Sequence, residues 1–62
     1  MTPAALKGLK EAHNRLTAWA DSERIWQRRM PDGLEADAMR NRANNYDALA
    51  KLIDAAICEV SQ

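Results

Sequence analysis

The chain has 62 residues, of which 47% are hydrophobic and 29% are charged, with only two glycines and two prolines. This composition excludes a disordered chain and is typical of a helix-rich globular one, although a chain so short buries only about 60% of its unfolded surface. Nine basic and nine acidic side chains give a formal net charge of zero, which excludes a strong overall field toward nucleic acid or an anionic membrane.

Cysteine content and apolar runs indicate the compartment. Cys58 is the only cysteine, so no internal disulfide can form, and no Cys/His set has zinc-ligand spacing. The N-terminal segment does not have the pattern of a secretory signal, and no apolar run approaches the roughly 20 residues needed to span a bilayer. We therefore expect a cytoplasmic protein with no cofactor, no metal and no membrane contact.

The first predicted helix spans residues 3–30. Thr2 supplies a capping hydroxyl, and Pro3 suits the first helical position. Apolar residues then recur at spacings of three and four, which predicts one buried stripe. The stripe consists of Ala5, Leu9, Ala12, Leu16, Trp19, Trp26 and Met30.

A turn is predicted over residues 31–33, because Pro31 cannot continue a helix and Gly33 tolerates conformations closed to other residues. Asp32 and Glu35 have the spacing of a capping box for a second helix over residues 34–60. Its stripe consists of Met39, Tyr46, Leu49, Ile53, Ala56 and Val60. The predicted fold is all-α, a single domain over residues 1–62 in which two helices of about 40 Å form an antiparallel hairpin.

The turn also predicts the register of the two helices. Facing residues should have numbers summing to about 65, so that Trp19 faces Tyr46 and Glu23 faces Arg42. We expect the structural pair Glu23 and Arg42 to fix the register more than it adds stability, because desolvation offsets much of the attraction. Gly8 is expected to make room for Ile57.

Self-association is expected because two helices alone rarely bury enough apolar surface, which favours a homodimer that forms a four-helix bundle. The predicted register leaves apolar residues on both flanks of the hairpin. The predicted self-association surface is Leu6, His13, Ala20 and Leu52 on one flank and Ala43, Ala50 and Ile57 on the other. His13, the single histidine, has no partner at catalytic spacing, and no catalytic residue is predicted.

Arginines cluster near the turn, and Ile25 lies among them on the face away from the stripe. Arginine beside an aliphatic side chain suits a protein-binding hot spot. Alternatively, Asp32, Glu35 and Asp37 neutralise the arginines within the hairpin. The predicted partner-binding site is Arg24, Ile25, Arg28, Arg29 and Arg40.

Two functions are compatible with these features. The favoured one is a non-enzymatic protein-interaction module that binds a larger protein through a helical face. The alternative is nucleic-acid or nucleotide binding through the arginine cluster, since arginine forks suit phosphate, but net neutrality and the absence of a known DNA-binding motif count against it. An enzyme is not expected, because a hairpin of this size has no cleft able to enclose a substrate.

In size, in its self-contained hairpin and in surface residues without a role in that hairpin, the chain resembles the small early proteins of bacteriophages. These include anti-CRISPR proteins and quorum-sensing anti-activators. The resemblance is one of type across the whole chain, and no diagnostic motif carries it. It implies a steric inhibitor that binds and blocks a bacterial host factor in the host cytoplasm.

Overall fold

Two long helices make up the protein. The computed structural model describes residues 2–61, with α1 at Pro3–Arg29 and α2 at Leu34–Ser61. The helices pack against each other in antiparallel orientation and form a rod of 45 × 14 × 12 Å. The predicted all-α hairpin is confirmed, and each helix differs from its predicted bounds by one residue at its C-terminal end.

Local chemistry explains where α1 begins and ends. Thr2 Oγ1 accepts a hydrogen bond from the Ala5 amide at 3.1 Å, and Pro3 lies in the first turn, where a missing amide hydrogen has no cost. Met30 is extended, with φ −96° and ψ 148°. A residue before proline is disfavoured in the helical conformation, so α1 ends at Arg29.

The turn differs from its prediction in two details. Because α2 begins at Leu34, the N-cap position belongs to Gly33, whose carbonyl accepts a hydrogen bond from the Asp37 amide at 3.0 Å. The predicted capping box of Asp32 and Glu35 is therefore out of position by one residue. Gly33 also has no positive φ, so the turn does not use the left-handed conformation that favours glycine.

A seam of alanines lies between the two helices. Ala20 of α1 and Ala36, Ala43 and Ala50 of α2 are at most 3% exposed, and among residues 2–61 no other residue is buried. The three alanines of α2 are seven residues apart, with half-buried residues three positions after each. This is the heptad repeat of a coiled coil, in which every first and fourth position faces the partner helix.

The same seven-residue repeat occurs in α1, which runs antiparallel to α2. At several levels of the seam, a small side chain of one helix lies opposite a large side chain of the other. Because alanine projects little from the backbone, the helices can approach closely where it occupies the seam, and a larger residue of the other helix fills the remaining space. The resulting levels pair Leu16 with Ala50, Ala20 with Tyr46, and Met30 with Ala36.

Some residues of the predicted stripes do not lie in the seam, so this part of the prediction is wrong. Leu9, Leu16, Tyr46 and Ile53 are half-buried, as predicted. Trp19, Trp26 and Leu49 are instead 52%, 55% and 49% exposed. The seam is rotated from the predicted stripe by about a sixth of a turn, because alanines form it and the largest apolar side chains do not.

The predicted self-association flanks are wrong for three of their seven residues, and for the same reason. Ala20, Ala43 and Ala50 are buried between the helices of one chain, where a second copy cannot reach them. The half-buried residues Leu6, His13 and Ile57 follow the same heptad positions. Of the predicted set only Leu52 is largely exposed, at 69%.

Gly8 does not make room for Ile57. A Cβ atom added at Gly8 would have no heavy atom within 4 Å, so this position faces open space and not the other helix.

The alanine seam makes a testable prediction for stability. Ala43→Leu inserts a large side chain where the seam has no space, and overpacking of this kind costs about 1–3 kcal/mol. Ala48→Leu, on the exposed face of the same helix, is the matched control and should change the stability little. Urea unfolding followed by circular dichroism measures both. Equal midpoints for the two variants would show that Ala43 is not at a tight contact.

Candidate functional site

The seam leaves two edges of the hairpin with opposite character. In an antiparallel coiled coil, residues that flank the seam on one helix meet those that flank it on the other. One edge is polar, and there Arg24 of α1 forms an ion pair with Asp47 of α2. The other we call the tryptophan edge, and it consists of Ala12, Trp19 and Trp26 of α1 and Leu49 and Ala56 of α2.

Trp19 lies at the middle of the tryptophan edge and is held by Tyr46. The two ring centroids are 5.8 Å apart and the planes are tilted by 55°, within the range that aromatic pairs prefer. This contact across the hairpin confirms the predicted pairing. It fixes the position of the Trp19 ring while about half of its surface remains open to a ligand.

Trp26 lies two helical turns closer than Trp19 to the loop between the helices, and the guanidinium group of Arg29 lies over its ring. The guanidinium carbon of Arg29 is 5.7 Å from the Trp26 ring centroid, which is a cation–π geometry. Arg29 therefore belongs to the tryptophan edge, and the predicted arginine cluster is divided between the two edges.

Three shallow concavities follow the tryptophan edge. The first has a volume of about 320 Å³, and we call it the Gly8 groove. The Trp19 ring forms one wall of this groove. The residues that line the groove are Gly8, Glu11, Ala12, Arg15, Leu16 and Trp19. A second, of about 230 Å³, lies on the other side of the Trp19 ring and is lined by Trp19, Ser22, Glu23 and Tyr46. A third, of about 260 Å³ and closer to the turn, is lined by Glu35, Ala38, Met39 and Arg42.

Glu23 and Arg42 form the predicted ion pair, and it is bidentate. Arg42 donates from Nε to Oε1 at 3.1 Å and from Nη2 to Oε2 at 3.2 Å, which is the strongest geometry for an arginine and a carboxylate. The hydrogen bond with Glu23 raises the pKa of Arg42 above its usual value. Glu23 occupies a seam position level with Ala43, whose small side chain leaves the carboxylate room to reach Arg42.

Carboxylates hold part of the predicted arginine cluster. The hydrogen bond with Asp47 is the main cause that raises the pKa of Arg24. Within α2, Arg40 Nη1 lies 3.4 Å from Asp37 Oδ1. The Arg40 and Asp37 pair agrees with the predicted alternative, in which acidic residues neutralise the arginines within the hairpin. The sequence analysis did not predict Asp47 as the partner of Arg24.

The remaining members of the predicted partner-binding site lie away from the seam. Ile25 is 48% exposed on the outer side of α1, and Arg28 is exposed one turn further. The structure thus does not bring the five predicted residues into one patch. It instead exposes Trp19, Trp26 and Leu49, which the prediction placed in the core.

Residues 2–61 contain no cluster of three side chains of the metal-ligating types. Neither helix, over the residues described, is both long and apolar enough to cross a membrane. The Cys58 thiol is exposed near the end of α2.

Comparison of the chain with known protein families, with characterised proteins and with solved structures finds no match.

The ion pair between Glu23 and Arg42 makes a prediction for the stability of variants in which one or both charges are reversed. Glu23→Arg and Arg42→Glu should each lower the urea midpoint, because each leaves two like charges side by side at the seam. The double variant restores opposite charges at the same distance and should recover most of the loss. A double variant as unstable as the two single effects combined would contradict the pairing.

Proposed function

We propose that the chain is a non-enzymatic protein-interaction module that acts through its tryptophan edge. One observation carries the proposal: Trp19, Trp26 and Leu49 are about half exposed on one edge, although the seam of the hairpin is already closed without them. Large apolar side chains grouped on one exposed edge mark contact sites, and tryptophan is among the residues most enriched in binding hot spots.

The distribution of charge along this edge supports a protein partner. Acidic and basic side chains both lie beside the exposed apolar residues, with Glu11 and Arg15 at one end, Glu35 at the other and the Glu23 and Arg42 pair between the two tryptophans. Apolar and aromatic residues combined with polar groups of both charges are typical of a protein–protein interface. A nucleic-acid phosphate backbone would instead require an excess of cations.

The arginine pairings weaken the alternative of nucleic-acid or nucleotide binding. Arg24, Arg40 and Arg42 each form an ion pair within the hairpin. A phosphate group would have to compete with these carboxylates for the guanidinium groups. Protein binding through the apolar edge has no such competition, so it is the better supported function.

The proposal includes a larger bacterial protein as the target, because the resemblance to small phage inhibitors implies one. Its mode of action would be steric. A rod 45 Å long and 12–14 Å across covers an extended strip of another surface, and its concavities are too shallow to enclose a substrate.

Site-specific photocrosslinking in bacterial cells tests the proposal. A photoreactive residue at Ser22 lies between the two tryptophans without replacing either, and one at Asn44 lies on the exposed side of α2 as the matched control. Adducts with protein, of whatever size, should be several-fold more abundant at Ser22, because the tryptophan edge is the surface that another chain covers.

Equal yields at Ser22 and Asn44 would contradict the proposal. Adducts with nucleic acid at either position would favour the alternative function. A third probe at Arg28 measures whether the outer side of α1 contacts a protein as well.

A further inference from the structure

The hairpin exposes more surface than a compact chain of its mass. Its solvent-accessible surface is 4751 Å² for 7.0 kDa, whereas a compact monomer of this mass exposes about 4000 Å². The excess of about 700 Å² is close to the roughly 800 Å² that each partner contributes to a stable interface of standard size. The rod shape of the hairpin accounts for this excess, and association with one protein partner would bury an area of similar size.

The tryptophan edge has complementary shapes at equal distances from its centre. Trp26 projects on one side of Trp19, and the Gly8 groove around Ala12 is open on the other side. Trp26 and Ala12 are each seven residues from Trp19, which is about 10 Å along the helix. A two-fold axis through Trp19 therefore brings Trp26 of each copy level with the groove of the other.

The charges along α1 agree with the same axis. Arg29, on the Trp26 ring, comes near Glu11, which lines the groove of the second copy. This encounter joins opposite charges and occurs twice, as a symmetric interface requires.

We propose that a second copy of this chain occupies the tryptophan edge, with the two α1 helices antiparallel about a two-fold axis at Trp19 and Trp26 of each copy in the Gly8 groove of the other. This inference rests on the proposed function and identifies a second copy of the chain as a protein that the tryptophan edge binds. The result is a four-helix assembly formed through the tryptophan edges.

The assembly leaves a defined surface for a larger partner. Arg28 lies on the part of α1 turned away from the Gly8 and Trp26 side. It stays exposed in the dimer, and the two-fold axis presents it twice. A target with two equivalent sites would then gain from simultaneous contact.

Gly8 provides the sharpest test, because a Cβ atom added there has no heavy atom within 4 Å, so a side chain can enter the groove without a clash at its base. Gly8→Leu fills the groove, and Gly8→Ala is the matched control that leaves most of it open. Both substitutions improve helix propensity by a similar amount, so neither should unfold the monomer. Sedimentation equilibrium over a concentration series measures the mass, and circular dichroism checks the helix content.

The wild type and Gly8→Ala should form particles of about 14 kDa, twice the mass of the chain. Gly8→Leu should raise the dissociation constant at least about tenfold, because it blocks entry of Trp26. A wild-type mass of 7.0 kDa at all concentrations, or a Gly8→Leu dimer as tight as the Gly8→Ala dimer, would overturn the inference.

Charge reversal tests the register independently. Glu11→Arg and Arg29→Glu should each weaken the dimer, and the double variant should restore it. Within one chain these residues are eighteen positions and about 27 Å apart on α1, so recovery can arise only between copies. Failure of the double variant to dimerise more tightly than either single variant would contradict the register.

The two proposals fail in different ways. If the chain is monomeric but Ser22 still crosslinks to other proteins, the tryptophan edge binds a different partner and only the second-copy inference is wrong. If the chain is monomeric and Ser22 crosslinks no more than Asn44, both proposals are wrong.

Discussion

Close contact between two helix backbones, made possible by alanines at seven-residue intervals, is the constraint on which the rest of this structure depends. Alanine lets the helices approach, but the narrow seam that results has no space for the tryptophans. Trp19, Trp26 and Leu49 are thus displaced to one edge, where they are about half exposed. The candidate site is a direct consequence of how the core is built.

Two ion pairs then fix the rotation and register of the helices. Arg24 and Asp47 join the helices on the polar edge, while Glu23 and Arg42 join them on the side of the tryptophan edge. A shift of one helix by a turn would break both pairs and would also separate Trp19 from Tyr46. Exposed ion pairs contribute little stability individually, so their main effect is to select one arrangement of the exposed aromatic surface.

The sequence was sufficient to predict the hairpin, its helix bounds and its register, because Thr2, Pro3 and Pro31 act locally and because a short turn allows only one antiparallel pairing. It was not sufficient for the rotation of each helix. The prediction followed the largest apolar side chains, while the seam follows Ala36, Ala43 and Ala50, whose regular spacing was visible but carries a weak hydrophobic signal. The Arg24 and Asp47 pair was missed for the same reason, since it can be recognised only once the rotation is known.

The alanine seam also has a consequence for the thermodynamics of the chain. The heat capacity change of unfolding scales with the apolar area that becomes exposed, and in the described part of the hairpin the fully buried side chains are single methyl groups. A lone hairpin would therefore unfold with a small heat capacity change, and the small unfolding enthalpy of so short a chain would make its thermal transition broad. Burial of the tryptophans by another chain would increase the heat capacity change of unfolding. The melting temperature would then depend on protein concentration.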